Sequence, residues 1–124
     1  MNKGFFFDRD GIINELIKEG HQFRPPHKLN ELKINDEIIK TIKLLEKYYF
    51  IFLVSNQPDV ARGSLSLESL NEINNSIYEK IEFMDSEFEI SDNPERKKPN
   101  PFMLNRLISK YGINTKESWL IGDR

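Results

Sequence analysis

The chain has 124 residues, 38% of them hydrophobic and nine of them Phe, which is enough for one packed domain of ordinary size. Its 18 Lys+Arg nearly balance 20 Asp+Glu, a net charge of −2, which argues against a partner with a polyanionic backbone such as nucleic acid. The absence of cysteine excludes disulfides, thiolate-held zinc and cysteine nucleophiles, and the two histidines, His21 and His27, lack a metal-ligand spacing. No signal-peptide pattern is visible, and no apolar run approaches the ~18 residues that span a bilayer. A soluble, cytoplasmic protein is expected, without a membrane partner.

GFFFD at 4–8 reads as a short strand whose continuous apolar character implies burial on both faces. Residues 11–33 hold RPP at 24–26 and read as a loop with room for a small hairpin. From Asn35 or Asp36 the residues Ile38, Ile39, Ile42 and Leu45 recur at helical spacing to about Tyr48. YFIFLVSN at 49–56 is the clearest strand signal, followed by the polar turn QPDVARGS. A second helix is expected from Ser66 through Leu67, Leu70, Ile73, Ile77 and Ile81. A weak strand is placed near Glu82–Met84 or Phe88–Ile90, and the loop SDNPER follows. NPFMLNRLISKYG is a punctuated helix with Asn100 at N-cap, Pro101 at the first helical position and Gly112 at the stop. SWLIGD at 118–123 reads as another buried strand.

This alternation predicts an α/β fold, a Rossmann-like three-layer α/β/α arrangement on a parallel sheet with right-handed crossovers. Ligands of such sheets bind beyond the carboxyl ends of the strands. FFFD|RDG, LVSN|Q and LIGD|R each place polar residues where a strand ends. The carboxylates of Asp8 and Asp10, one residue apart, repel unless a cation lies between them. Mg²⁺ suits hard oxygen ligands and a substrate phosphate, and a free carboxylate can attack phosphorus while its neighbour handles the proton. Ser55, with the amide of Asn56, can donate to a phosphoryl oxygen. Lys98 precedes a helix N-terminus, where an anion is favoured. Singly, each has a plainer reading: a surface turn, a loop-starting serine, a solvated basic run at ERKKP, a turn-forming Asp123. Their order and location at strand ends favour one phosphate and Mg²⁺ site.

The set FFFDRDG, LVSNQ, RKKPNP and LIGDR resembles the haloacid-dehalogenase-like (HAD) phosphohydrolases in motif order, from Phe5 to Arg124. DRDGIIN, SNQPDVARG and KKPNPFML are most similar to the branch of heptose bisphosphate and histidinol-phosphate phosphatases, with its DRDG-x-IN, TNQ-x-G-x-ARG and RKP-x-PGML. The resemblance implies Asp8 as nucleophile and Mg²⁺ ligand, and Asp10 as general acid/base with its backbone carbonyl on the metal. Ser55 and Asn56 would bind the phosphoryl group, Lys98 would neutralise it, and Asp123 would hold Mg²⁺. Gln57, Arg62, Lys97 and Arg24 would face substrate. The implied substrate is a small phosphorylated metabolite, foremost a sugar phosphate such as heptose 1,7-bisphosphate. The alternatives are histidinol phosphate, a polynucleotide 3′-phosphate, or a non-catalytic remnant that binds a phospho-ligand or a protein.

Three departures from the pattern carry expectations. The branch's zinc loop has Pro94 and Arg96 where it places cysteines, so no zinc is expected and residues 83–95 must be ordered by ordinary packing. Phe102 replaces a glycine and would crowd the pocket. The family adds an acid, a strand and a helix after GDR. Residues 1–124 are therefore expected to be a single domain lacking the C-terminal part of the fold, a monomer or weak homo-oligomer with an unprotected edge strand.

Overall fold

GFFF forms β1 (Gly4–Phe7), and its alternation decides how the molecule is layered. Successive strand residues point to opposite faces. Phe5 and Phe7 pack with Ile51, Leu53, Ile42, Ile73 and Ile77 on one face, and Phe6 packs with Phe52, Val54, Met103 and Leu107 on the other. Stacked rings hold both sides, with centroids 4.9 Å apart for Phe5–Phe7 and 4.8 Å for Phe6–Phe52. Each buried phenylalanine stabilises the fold by about 1.5–3 kcal/mol through area removed from water. The phenylalanine run therefore serves two cores. The computed structural model describes residues 2–122.

The first helical layer holds α1 (Asp36–Leu45) and α2 (Leu67–Tyr78), and the second holds α3 (Phe102–Tyr111). Asn35 caps α1 by accepting from Glu37 N at 3.0 Å, and Ser66 caps α2 by accepting from Ser69 N at 3.0 Å. In α3 the helix starts one residue later than expected. Pro101 occupies the cap position, but the Asn100 side chain still accepts from Phe102 N at 3.0 Å. Gly112 closes α3 with φ 61°, a left-handed conformation, and nothing lies within 4 Å of where a Cβ would stand. Gly112→Ala is thus expected to cost about 1 kcal/mol from backbone strain alone, read as a lower urea midpoint.

The sheet is four-stranded and parallel in the order β5-β4-β1-β6, with β4 at Phe50–Asn56, β5 at Asp85–Glu89 and β6 at Trp119–Ile121. The weak strand thus lies between and across the two expected positions. Its sequence DSEFE has little strand propensity, and pairing with β4 from Phe52↔Asp85 to Asn56↔Glu89 fixes it. β6 corrects an expectation. It was read as buried, yet Trp119, Leu120 and Ile121 are 62%, 50% and 36% exposed. It pairs only with β1 and forms the edge of the described sheet, so its apolar run marks a strand without stating what covers it. Asp123 and Arg124, at the end of the expected strand, lie outside the described residues.

Within 11–33 the hairpin is present, as β2 (Ile17–Glu19) and β3 (Gln22–Arg24), followed by a 3₁₀ turn at Leu29–Glu31. Of the segment 83–95, Phe83 and Phe88 pack against the core, and the part after Glu89 is tied by polar bonds. Glu89 Oε2 accepts from Ser91 Oγ at 2.6 Å and Ser91 N at 3.1 Å, and Glu89 Oε1 pairs with Arg96 Nε at 3.0 Å. Phe102 is partly buried against the α3-side core, with the Arg96 and Arg106 guanidinium groups 5.2 and 5.7 Å from its ring centre.

Candidate active site

Because β1, β4, β5 and β6 are parallel, their carboxyl ends lie along one edge of the sheet, and the loops after β1, β4 and β5 meet there. Asp8 follows β1 directly, anchored by its N–H donating to Ile121 O at 2.9 Å. Its Oδ1 accepts from Arg9 N at 2.8 Å and pairs with Lys98 Nζ at 2.9 Å. Lys98 Nζ also donates to Val54 O at 3.1 Å, which seats the ammonium against β4. Burial pushes the Asp8 carboxyl up from its ordinary 3.8, against the opposing pull of Lys98.

Asp10 is held differently. Oδ1 accepts from Arg9 Nη2 at 2.9 Å, Arg9 Nε at 3.2 Å and Asn14 Nδ2 at 3.1 Å, while Oδ2 accepts from Gln57 Nε2 at 2.6 Å. Gln57 Nε2 also donates to Ser55 Oγ at 2.8 Å, linking the loop after β1 to the end of β4. The adjacent acids therefore each have a cation of their own, Lys98 for Asp8 and the buried Arg9 for Asp10. Sequence reasoning looked for one shared cation and did not see Arg9. It also passed over Asn74, which accepts from Arg9 Nη1 at 2.9 Å. The available signal was phase, since Asn74 lies on the stripe of α2 that carries Leu70, Ile73 and Ile77.

The Asn56 side chain clamps the Lys98 backbone, accepting from Lys98 N at 2.9 Å and donating to Lys98 O at 3.0 Å. Lys98 thus reaches the β1 edge because a residue of β4 holds its main chain. Ser55 is fully buried, and its hydroxyl makes only a long 3.4 Å contact as donor, to Asn56 O. Its proton is thus only weakly engaged.

Asp8, Asp10, Ser55, Asn56, Gln57 and Lys98 are brought together. The other expected substrate contacts are engaged elsewhere. Arg62 forms a two-pronged pair with Asp92, both bonds 2.9 Å, and Lys97 Nζ joins the same carboxylate at 3.1 Å. Arg24 binds Glu31 through bonds of 3.1 and 2.6 Å and pairs with Glu19 at 3.0 Å. His27 Nε2 lies 2.7 Å from Asp59 Oδ2, tying the segment after the hairpin to the loop after β4. Arg62–Asp92 and His27–Asp59 were invisible in the sequence because each joins separate loops.

The hydrogen bonds from Arg24, then that from His27 N, hold Glu31 down at about 2 from its ordinary 4.5. A depressed folded value contributes stability above 4.5 that disappears as pH falls toward 2. Glu31→Gln is therefore expected to flatten the loss of stability between pH 4.5 and about 2, measured as urea midpoint against pH.

The donors at this edge suit a hard divalent cation in kind. The Asp8 carboxylate is present, and the Asp10 carbonyl accepts no backbone hydrogen bond among the described residues, whereas that of Arg9 accepts three. No group of three or more His, Asp or Glu side chains gathers among the described residues, and Asp123 lies outside them.

Comparison with known proteins agrees with this fold. A HAD-hydrolase-like family model matches residues 95–124. The heptose-1,7-bisphosphate 7-phosphatase of Haemophilus influenzae is 27% identical over all of this chain and 72% of its own length. The histidine biosynthesis bifunctional protein HisB of Actinobacillus pleuropneumoniae is 28% identical over 96% of this chain and 34% of its own. The crystal structure of D,D-heptose 1,7-bisphosphate phosphatase from B. bronchiseptica, complexed with magnesium and phosphate, superposes with a TM-score of 0.81 at 20% identity, over 98% of this chain and 70% of that one. No helix among the described residues is long and apolar enough to cross a membrane.

Proposed function

We propose that this chain is a haloacid-dehalogenase-like hydrolase of phosphoric monoesters, and that it works by a Mg²⁺-dependent reaction through an aspartyl phosphate on a small sugar phosphate of the heptose bisphosphate type, a reading supported by its relatives and its fold. The observation that supports it best is the 2.9 Å pairing of Asp8 with Lys98 at the strand edge where Asp10 and Ser55 also lie.

Asp8 is the nucleophile, and burial keeps its carboxylate poorly solvated and reactive. Lys98 offsets the charge that the transferring group brings, and the Ser55 hydroxyl donates to a phosphoryl oxygen. With its side chain engaged on Lys98, Asn56 contributes through its main-chain N–H. Asp10 protonates the leaving oxygen and then takes a proton from the attacking water. Gln57 steadies Asp10 and Ser55 through its side-chain amide, and Arg62, Lys97 and Arg24, each held in an ion pair, meet a longer substrate only by exchanging those partners. Asp8, the Asp10 carbonyl and Asp123 would hold Mg²⁺, which when bound adds positive charge beside the phosphoryl oxygens.

The test is a panel of phosphorylated metabolites assayed with Mg²⁺ and with chelator. Phosphate release is expected from sugar phosphates, foremost a heptose 1,7-bisphosphate, and is expected to vanish with chelator. Undiminished turnover without divalent metal contradicts the metal dependence. Preference for an end-phosphorylated oligonucleotide, with steep salt dependence, contradicts the substrate class.

A further inference from the structure

Arg9 is wholly buried, and a guanidinium in that position needs acceptors for its donors. It has two, one on each side. Nε and Nη2 reach Asp10 Oδ1, and Nη1 reaches Asn74 Oδ1 on α2. Asn74 is itself 6% exposed and lies on the buried stripe of its helix, where an apolar residue would be the usual occupant. The Asn74–Arg9–Asp10 connection runs from the helical layer to the strand edge and ends on the carboxylate assigned to proton transfer.

We infer that Asn74 is a positioning residue that acts through Arg9 to hold the Asp10 carboxylate for proton transfer to the leaving group. This rests on the reading of Asp10 as general acid. In that step a bond forms between an Asp8 carboxylate oxygen and phosphorus, the bond from phosphorus to the leaving oxygen breaks, and the proton on Asp10 passes to that oxygen. Water then attacks the aspartyl phosphate, gives its proton to Asp10 and restores Asp8. Oδ1 of Asp10 already accepts three N–H bonds, from Arg9 Nε, Arg9 Nη2 and Asn14 Nδ2. The transferable proton therefore belongs on Oδ2, the oxygen on the Gln57 and Ser55 side. Without Asn74, Arg9 Nη1 loses its acceptor in a buried place, the guanidinium turns to find another, and Asp10 turns with it.

The experiment compares wild type, Asn74→Ala, Asn74→Asp and Asp10→Asn on monoesters whose leaving groups run from nitrophenol to a sugar alcohol. A misplaced acid penalises poor leaving groups and spares good ones, whereas general damage to the fold lowers all rates together. Asn74→Ala is expected to lose about 10- to 100-fold on the sugar phosphate and less than about 2-fold on the nitrophenyl ester. Asn74→Asp, which keeps an oxygen for Arg9, is expected to restore the wild-type dependence. Asn74→Ser, with its oxygen drawn back from Arg9, replaces the alanine variant if that one does not fold. An equal loss on all esters, or no loss, overturns the inference while Asp10→Asn steepens the leaving-group dependence. If Asp10→Asn leaves that dependence flat, the general-acid reading falls and the inference falls with it.

Discussion

Asp8→Asn is expected to lower phosphate release by at least about 1,000-fold, because the amide cannot form the covalent intermediate. The substitution preserves shape and removes the attacking oxygen's charge. Its effect on stability has the opposite sign from that of most polar deletions. Burial raises the Asp8 carboxyl above 3.8 despite Lys98, so the folded chain holds that proton more tightly than the unfolded chain does. The ionised form therefore costs stability once pH exceeds the folded value, and a neutral amide removes the cost. Lys98 loses its 2.9 Å partner but keeps the Val54 carbonyl and some access to water. The urea midpoint is expected to stay level or rise at neutral pH. A variant as active as wild type shows that the nucleophile is a different residue.

Arg9→Met reverses the pattern, with a large stability effect that comes from beneath the site. Asp10 loses the guanidinium bonds at 2.9 and 3.2 Å, and Asn74 Oδ1 loses its donor in the core. Breaking a buried pair by removing one partner typically costs about 3–5 kcal/mol, since the remaining charge stays desolvated. Asp10 is 14% exposed and retains Asn14 and Gln57, so the expected loss lies near the lower end, about 3 kcal/mol by urea unfolding. Asp10→Asn in the same chain is expected to return part of that loss, because the two residues are coupled. A change within about 0.5 kcal/mol means that Arg9 is not the partner that stabilises Asp10.

The sheet and its helices were legible because their signals are local. Phe5, Phe6 and Phe7 announce a strand covered on both faces, and Ile38, Ile39 and Ile42 announce a helix. Asp8, Asp10 and Ser55 were legible for a related reason, since a parallel sheet sends every strand's carboxyl end to one edge. Lys98 joins them because Asn56 holds its main chain. Side-chain direction was not legible. Arg9 turns inward to Asn74, 65 positions away on α2, and Arg62 reaches Asp92 on a neighbouring loop, pairings that form only after folding. The second task of Asn56 was not legible either, for its side chain holds the backbone of Lys98, 42 residues on, and leaves its main-chain amide for the expected phosphate contact. β5 was hard to place because DSEFE is a strand by pairing and not by composition. β6 takes the edge position expected of the final strand, but its exposure is not legible from pattern, because three apolar residues look the same at an edge as in a core.

The central claim, that Asp8 beside Lys98 takes up the phosphoryl group, is met most directly by trapping the intermediate. Enzyme quenched in acid during turnover of a sugar phosphate and reduced with borohydride converts an aspartyl phosphate to homoserine. Peptide mass spectrometry is expected to find homoserine at position 8 and nowhere else, and only when substrate is present. Steady turnover with an unmodified position 8, or a phosphoryl group recovered on another side chain, contradicts it.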